Sequence, residues 1–206
     1  MKVLTISSLK GGVSKSTLAL NLFHYFHGQG LSVGIIDGDV QGSISESFDG
    51  IENAPLIPRL DIQDWQQVRT LPYDLVVIDT GPYLITEEIA GIYSVSDFIL
   101  LPCKASIYDV KALGETIAAY KAVREVRPHM RASVVLVQGI HSTGFNSELR
   151  DAVRQYGVPV LLSEMKNRVD YARSLEEPAG IFSTENEKAI GEMMGIATEI
   201  RNVMEI

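Results

Sequence analysis

The chain has 206 residues, a net charge of −8 and 46% hydrophobic residues, a composition that excludes intrinsic disorder as its main state. Its one cysteine, Cys103, excludes an internal disulfide framework and a cysteine-rich metal site. The apolar runs are too short to cross a bilayer and the N-terminus lacks a signal-peptide pattern, so the sequence predicts a cytoplasmic protein that does not bind membranes.

Short apolar runs alternate with helical patterns along the chain. Strands are predicted at residues 3–7, 32–36, 75–78, 98–101, 133–137 and 160–162. Helices are predicted at residues 16–28, 62–70, 107–126 and 146–156, and a last one runs from a capping box at Thr184 and Glu187 to about Met204. Residues 50–59 are predicted as a loop. Because the strands are continuously apolar, we expect a doubly wound α/β fold: a mostly parallel sheet with helices on both faces.

The strongest motif follows the first predicted strand. Residues 9–17 read Leu-Lys-Gly-Gly-Val-Ser-Lys-Ser-Thr, although Leu9 and Ser14 stand where the usual phosphate-loop motif has glycine. Glycines allow the backbone to direct N–H groups at phosphate oxygens, and the N-terminus of the next helix favours an anion. The sequence therefore predicts a nucleotide-binding loop formed by Gly11, Gly12, Val13, Ser14, Lys15, Ser16 and Thr17.

A second lysine, Lys10, precedes the glycines. The pattern Lys-Gly-Gly-Val-x-Lys-Ser-Thr resembles the deviant Walker A motif of the ParA/MinD family of ATPases. In that family the additional lysine reaches the nucleotide of the partner subunit in an ATP-sandwiched dimer. The resemblance implies a P-loop NTPase fold, ATP and Mg²⁺, a homodimer that forms on ATP binding, and catalytic roles for Lys10 and Lys15.

Carboxylates follow the second and third predicted strands. Asp37 and Asp39 lie two residues apart, and Asp79 ends four apolar residues in the manner of a Walker B motif. Carboxylate oxygens suit Mg²⁺. The first pair resembles the family's Asp-x-Asp-Pro-Gln segment, with Val40 in place of proline. This resemblance implies that Asp39 activates the attacking water, that Asp37 supports the water shell of the metal, and that Ser16 and Asp79 also belong to the metal site.

Weaker resemblances run through the rest of the chain. Residues 101–109 are similar to the family's Pro-x-x-x-Ser-x-x-Asp segment, which ends here at Asp109, and residues 167–172 are similar to the segment after its last strand. The resemblance places the nucleotide base near Gln138 and Met165. Both residues are therefore predicted to bind the cofactor.

The first predicted strand begins within the first three residues, so we predict a single P-loop ATPase domain over residues 1–206, without the N-terminal DNA-reading domain of large partition ATPases. Residues 199–206 contain one base and two acids, which is a poor match to the basic membrane-binding helix of MinD. Cys103 alone cannot hold the iron–sulfur cluster of nitrogenase-reductase-like proteins. The chain therefore resembles the small ParA type.

The leading hypothesis is an ATPase for plasmid or chromosome segregation or for cargo positioning, weakly active unless stimulated. Its partners would be a cargo-bound, ParB-like adaptor and non-specific DNA, so that the ATP-bound form associates with the nucleoid. Residues 104–173 carry 11 Lys and Arg against 7 Asp and Glu, whereas both flanking regions are acidic. Candidate DNA contacts in this segment are Lys121, Arg124, Arg127, Arg131, Arg150, Arg154 and Arg173.

Two alternatives remain open. The first is an enzyme that uses ATP to activate a small molecule, with a substrate pocket formed by residues 82–88 and 141–146. The second is a nucleotide-binding switch with little turnover, which Ser14 and Val40 suggest because both depart from the family pattern.

Overall fold

The computed structural model describes residues 1–39, 42–49, 54–58, 64–82, 86–104, 106–139 and 143–206. The strands are Lys2–Ile6 (β1), Val33–Gly38 (β2), Leu56–Ile57 (β3), Leu75–Thr80 (β4), Phe98–Lys104 (β5), Arg131–Gly139 (β6) and Val160–Lys166 (β7). The α-helices are Lys15–Gly28 (α1), Ser43–Ser47 (α2), Thr86–Val95 (α3), Ile107–Val126 (α4), Thr143–Arg154 (α5), Val169–Arg173 (α6) and Glu187–Met204 (α7). Short 3₁₀ helices occur at Trp65–Thr70, Ser174–Glu176 and Gly180–Ser183.

All the described strands belong to one parallel sheet with the order β3-β2-β4-β1-β5-β6-β7. Strand β1 therefore lies in the middle, between β4 and β5. The register aligns Asp79 with Ile6 on one side and with Asp37 on the other. The carboxyl ends of the three strands that carry the predicted motifs consequently meet at one edge, and the predicted doubly wound α/β fold is confirmed.

Helices cover both faces of the sheet because the strands are apolar on both sides. On β4, Leu75 and Val77 pack into the core beneath α1 and α7, whereas Val76 and Ile78 pack into the core beneath α3, α4 and α5. Among the described residues, no helix is both long enough and apolar enough to cross a membrane. The two cores hold the strand ends in fixed positions relative to the first helix.

The structure corrects two predictions on the segments between the main strands. The predicted loop at residues 50–59 contains β3, which pairs with β2 and has only two residues, too few to show a periodic pattern. Helix α3 was not predicted, although Ile89, Ile92 and Tyr93 are buried at helical spacing. The predicted helix at residues 62–70 is a 3₁₀ helix from Trp65 onward, and residues 62–63 lie outside the described ranges.

The predicted capping box of the last helix is also wrong. Helix α7 begins at Glu187, and the side chain of Asn186 caps it by accepting a hydrogen bond from the N–H of Ala189. The hydroxyl of Thr184 donates instead to the main-chain oxygen of Ile181, at 2.8 Å. Thr184 therefore closes the preceding 3₁₀ turn rather than opening the helix.

The outer edge of β7 carries side-chain hydrogen bonds in place of another strand. Around a register shift between β6 and β7, the carboxylate of Glu199 accepts from the N–H groups of Leu162 and Ser163, at 2.8 and 2.7 Å. The guanidinium of Arg150 donates to the main-chain oxygens of Leu161 and Leu162. Helices α5 and α7 thus satisfy the backbone at this edge of the sheet.

Candidate nucleotide-binding site

The predicted phosphate loop lies between β1 and α1, at the carboxyl edge of the sheet. Gly12 has a φ of +70° and Ser14 a φ of +61°, both in the left-handed region that favours glycine. The N–H of Leu18 bonds to the main-chain oxygen of Ser14 at 3.0 Å, so the helix begins directly after the loop. Ser14 therefore adopts the backbone conformation for which the usual motif employs glycine.

Lys15 is buried at the start of α1, with 6% of its surface exposed. Its ammonium donates to the main-chain oxygen of Lys10, at 3.1 Å, across the loop. Burial lowers the pKa of Lys15, while the nearby carboxylates of Asp79 and Asp39 oppose that shift. A desolvated ammonium inside a loop of this kind is suited to bind a phosphate group.

Asp79 is fully buried, and its Oδ2 accepts a hydrogen bond from the hydroxyl of Ser16 at 2.6 Å. The pKa of Asp79 is raised to about 7, mainly by burial and also by Asp37 and Asp39, while the hydrogen bond from Ser16 and the charge of Lys15 oppose the shift. Within the described part of the chain, Asp79 Oδ1 has no hydrogen-bond partner. A buried, unsatisfied carboxylate oxygen beside a serine hydroxyl fits the donor set expected for Mg²⁺.

The described residues contain no group of three or more His, Cys, Asp and Glu side chains that could hold a metal by themselves. Mg²⁺ in nucleotide sites is usually held by one or two protein oxygens together with substrate phosphates and water. The pair of Ser16 and Asp79 fits that arrangement. Metal binding at this site would therefore depend on the nucleotide.

The segment after β2 is organised by Asp37. Its Oδ2 accepts hydrogen bonds from Ile44 N, Ser45 N and Ser45 Oγ, at 3.1, 2.8 and 2.9 Å, and its Oδ1 accepts from Asp39 N at 3.1 Å. Asp37 thus orients the turn that carries Asp39. A Cβ at Gly38 would lie 2.5 Å from the main-chain oxygen of Asp79, so only glycine fits between the two acids.

Lys10 lies on the outer side of the loop. Its ammonium forms an ion pair with Asp109 in the first turn of α4. The Lys10 side chain is 42% exposed and that of Asp109 is 9% exposed. Lys10 therefore projects from the rim of the site and is held by its own subunit. Val40, the other departure from the family pattern near this site, lies outside the described residues.

The structure adds two groups that sequence reasoning did not assign. Lys104 ends β5, and its ammonium lies 3.8 Å from the position that a Cβ on Gly12 would take. The hydroxyl of Thr116, on α4, accepts from the N–H of Leu9 at 3.3 Å. The position of Lys104 at a strand end next to β1 was the available signal, because such ends meet at the same edge of the sheet.

Gln138 and Met165, the residues predicted near the base, line a cavity of about 340 Å³ beside the loop. Gly12, Ser14 and Thr17 form its side toward the loop. The remaining lining residues are Lys166, Asn167, Arg168, Tyr171, Ala172 and Leu175. The structure thus brings both predicted residues next to the phosphate loop, as the base of a nucleotide requires.

The basic residues proposed for DNA do not form one surface. Helices that connect parallel strands run antiparallel to them, so the last turns of α4 and α5 lie at the amino edge of the sheet, opposite the phosphate loop. The candidates at this end, all at least partly exposed, are Lys121, Arg124, Arg127 and Arg154. Arg131, at the start of β6, is at the same edge. Arg173 follows β7, at the opposite edge, and Arg150 is 16% exposed and bonded to β7.

The chain belongs to the family of CobQ/CobB/MinD/ParA nucleotide binding domains, which it matches over residues 4–179. Family membership implies ATPase activity at the level of the family. The fold and the phosphate loop described above are those expected for this class.

Individual relatives match nearly the whole chain. It is 28% identical over 186 residues to a maintenance of carboxysome distribution protein A from Halothiobacillus neapolitanus, covering 87% of this chain and 86% of that protein. A putative plasmid partition protein from Borrelia burgdorferi, solved with AMPPNP, superposes with a TM-score of 0.75 at 21% identity over 98% of each chain. Cobyrinic acid a,c-diamide synthase from Mycobacterium smegmatis, solved with an ATP analogue and magnesium, gives 0.77 at 16% identity over 98% of this chain and 95% of that one. The two structural matches show the shared fold.

Proposed function

We propose that this chain is a single-domain ParA/MinD-type ATPase that binds Mg-ATP, dimerises and positions or segregates a cargo. The observation that carries the proposal is the arrangement of the two loop lysines. Lys15 is buried behind the loop beside Asp79, whereas Lys10 projects from its rim. One lysine thus lies inside its own phosphate site, and the exposure of the other supports a role for Lys10 at a second subunit.

The residues of the site have separate roles in binding and hydrolysing ATP. Lys15 and the loop N–H groups bind the phosphates, and Ser16 and Asp79 would hold Mg²⁺, which when bound neutralises charge on the phosphate oxygens. Asp39 orients the attacking water and accepts its proton. Asp37 positions Asp39 through the hydrogen bond between its Oδ1 and the Asp39 N–H.

Dimerisation would require Lys10 to leave Asp109 and to contact the nucleotide of the other subunit. Release of Lys10 would leave the carboxylate of Asp109, whose side chain is only 9% exposed, without its cation. A charge-assisted hydrogen bond from Lys10 to phosphate would offset that cost. Dimerisation would therefore depend on bound ATP, and hydrolysis would release the dimer.

The proposed matrix is non-specific DNA. Lys121, Arg124, Arg127 and Arg154 lie at the amino edge of the sheet, so each subunit of a dimer would contribute its own basic group. Such contacts to phosphates carry no sequence preference. A cargo-bound adaptor would stimulate hydrolysis and detach the dimer from the nucleoid. The similarity to a carboxysome distribution protein supports a large protein body as cargo, and that to a plasmid partition protein supports a plasmid.

Light scattering on Asp39→Ala protein, with and without Mg-ATP, tests the proposal. We expect ATP to convert the monomer into a stable dimer, because the substitution removes water activation but little phosphate contact. Asp49→Ala, at an exposed position on the same segment, is the matched control and should cycle like the wild type. Short duplex DNA added at low salt should then shift the mass further.

Other outcomes contradict parts of the proposal. A dimer that ignores DNA would exclude DNA as the matrix. A monomer at saturating ATP would remove the role of Lys10; ADP release that depends on a metabolite would then indicate an ATP-dependent enzyme acting on a small molecule. Normal ATP affinity with no turnover, even with adaptor, would indicate a nucleotide-binding switch.

A further inference from the structure

Two residues with left-handed backbone, Ser14 and Gln138, contact each other beside the phosphate loop. Among the described non-glycine residues, φ is positive at Ser14 (61°), Gln138 (53°) and Glu205 (58°). Glu205 follows the last turn of α7, where this conformation commonly ends a helix. Ser14 and Gln138 are 124 residues apart in the chain, yet their side chains are hydrogen-bonded to each other. Strained residues of this kind persist only where the surrounding contacts hold them.

The contact is made by the side-chain amide of Gln138. Its Nε2 donates to Ser14 Oγ at 2.9 Å and to the main-chain oxygen of Gly12 at 3.2 Å. A main-chain oxygen only accepts hydrogen bonds, so the Gly12 contact fixes the amide with its NH₂ group toward the loop. One side chain from the end of β6 therefore connects two positions of the phosphate loop.

The contact also determines where the Ser14 hydroxyl points. A serine that precedes a helix commonly accepts hydrogen bonds from the N–H groups of the first turn. Ser14 makes no such side-chain contact with α1, and its hydroxyl is bonded to Gln138 instead. The first-turn N–H groups, which the predicted phosphate site uses, are therefore not capped by the residue before them.

We propose that Gln138 is a positioning residue of the phosphate loop, which holds Ser14 in the left-handed conformation that glycine would adopt without assistance and keeps its hydroxyl away from the helix N-terminus. The inference deepens the proposed nucleotide site and rests on it for its effect on nucleotide binding. Because the hydrogen bonds from Gln138 compensate for the absence of a glycine, Gln138 is required only when residue 14 has a side chain.

A double-mutant cycle with Mg-ADP tests this dependence, with affinities measured by titration calorimetry. Gln138→Ala should weaken binding about fivefold, which corresponds to the loss of one ordinary hydrogen bond. In a Ser14→Gly background, the same change should alter affinity by less than about twofold, because glycine holds the loop conformation unaided. Gln138→Glu should behave like Gln138→Ala, since a carboxylate cannot donate to Gly12. Gln155→Ala, an exposed glutamine after α5, should have no effect.

Hydrogen exchange in the nucleotide-free protein tests whether Gln138 holds the phosphate loop, independently of nucleotide binding. Gln138→Ala should speed exchange in a peptide covering residues 8–17, and Ser14→Gly should remove that difference, while the urea midpoint stays unchanged. Equal losses of affinity in both backgrounds, or exchange that rises throughout the protein, would overturn the inference. A wild-type protein that fails to bind Mg-ADP would contradict the proposed function, but the exchange result would still decide whether Gln138 holds the loop.

Discussion

The two ends of the sheet differ in the burial of their charged side chains. At the carboxyl end, Lys15, Asp37 and Asp79 are buried, and each is held by hydrogen bonds from the protein. At the amino end, Lys121 and Arg124 are exposed. Buried charge is costly and persists where it binds something specific, whereas exposed charge costs little and is screened by salt. The carboxyl end thus has the character of a site for one ligand in one geometry, whereas the charges at the amino end are free to rearrange in solvent.

The largest effect is expected from the buried lysine. Lys15→Ala should weaken Mg-ATP binding by at least about a hundredfold, because it removes a charge-assisted contact to phosphate from a desolvated site. Calorimetric titration measures the change, with Lys188→Ala, an exposed lysine at the start of α7, as the matched control. Unchanged affinity in Lys15→Ala would exclude the loop as the phosphate site.

Substitution of Lys10, the lysine at the rim of the loop, should weaken dimerisation while leaving nucleotide binding intact. Lys10→Ala should leave the affinity of the monomer for Mg-ADP within about twofold and weaken ATP-dependent dimerisation by at least about fiftyfold, because a homodimer loses two charge-assisted hydrogen bonds, one from each subunit. Sedimentation of the Asp39→Ala protein, with and without the additional substitution, measures this difference. If Lys10→Ala abolished nucleotide binding as well, the proposed division of labour between the two lysines would be wrong.

A partly buried histidine on α1, His24, also gives folding a pH dependence. Burial, and secondarily the neighbouring His27, lowers the pKa of His24 to about 4. The unfolded chain then binds the proton more tightly, so this contribution to stability is present above pH 6.5 and is lost as pH falls toward 4. Between pH 7.5 and 5 the loss is about 2 kcal/mol.

Urea unfolding at the two pH values measures this loss. His24→Gln should be less sensitive to acid than the wild type by that amount, and His129→Gln, at an exposed position, should match the wild type. An unaltered pH dependence in His24→Gln would show that His24 is not the titrating group and would move the search to the carboxylates around the phosphate loop.

The smallest effect is expected from substitutions at the amino end of the sheet. Lys121→Ala combined with Arg124→Ala should weaken DNA binding about fivefold at moderate salt and reduce the salt slope by about two for each subunit bound to DNA, because each removed cation releases about one counterion fewer. Fluorescence anisotropy at several salt concentrations gives both values. Arg173→Ala, at the carboxyl end, is the comparison variant: if it had the larger effect, the DNA surface would lie at the nucleotide end.

The sequence predicted the central strands and the phosphate loop because these features are local. Continuous apolar runs identify β1, β4 and β5, and the glycine–lysine pattern needs only adjacent residues. Pairings between distant residues carry no such signal: Lys10 and Asp109 are 99 residues apart, and Ser14 and Gln138 are 124 apart. The candidate DNA contacts were taken from one basic segment because it is continuous in sequence, but parallel-strand topology separates Arg173 from Lys121 and Arg124.

The protected edge of β7 limits how this protein can associate with itself. Glu199 and Arg150 occupy the backbone groups that a strand from another molecule would need, and the opposite edge, β3, has only two residues. Within the described residues, neither edge therefore offers a long unpaired strand as a template for end-to-end growth into fibres. Self-association through the sheet edges would therefore be limited to discrete assemblies rather than continuous polymers.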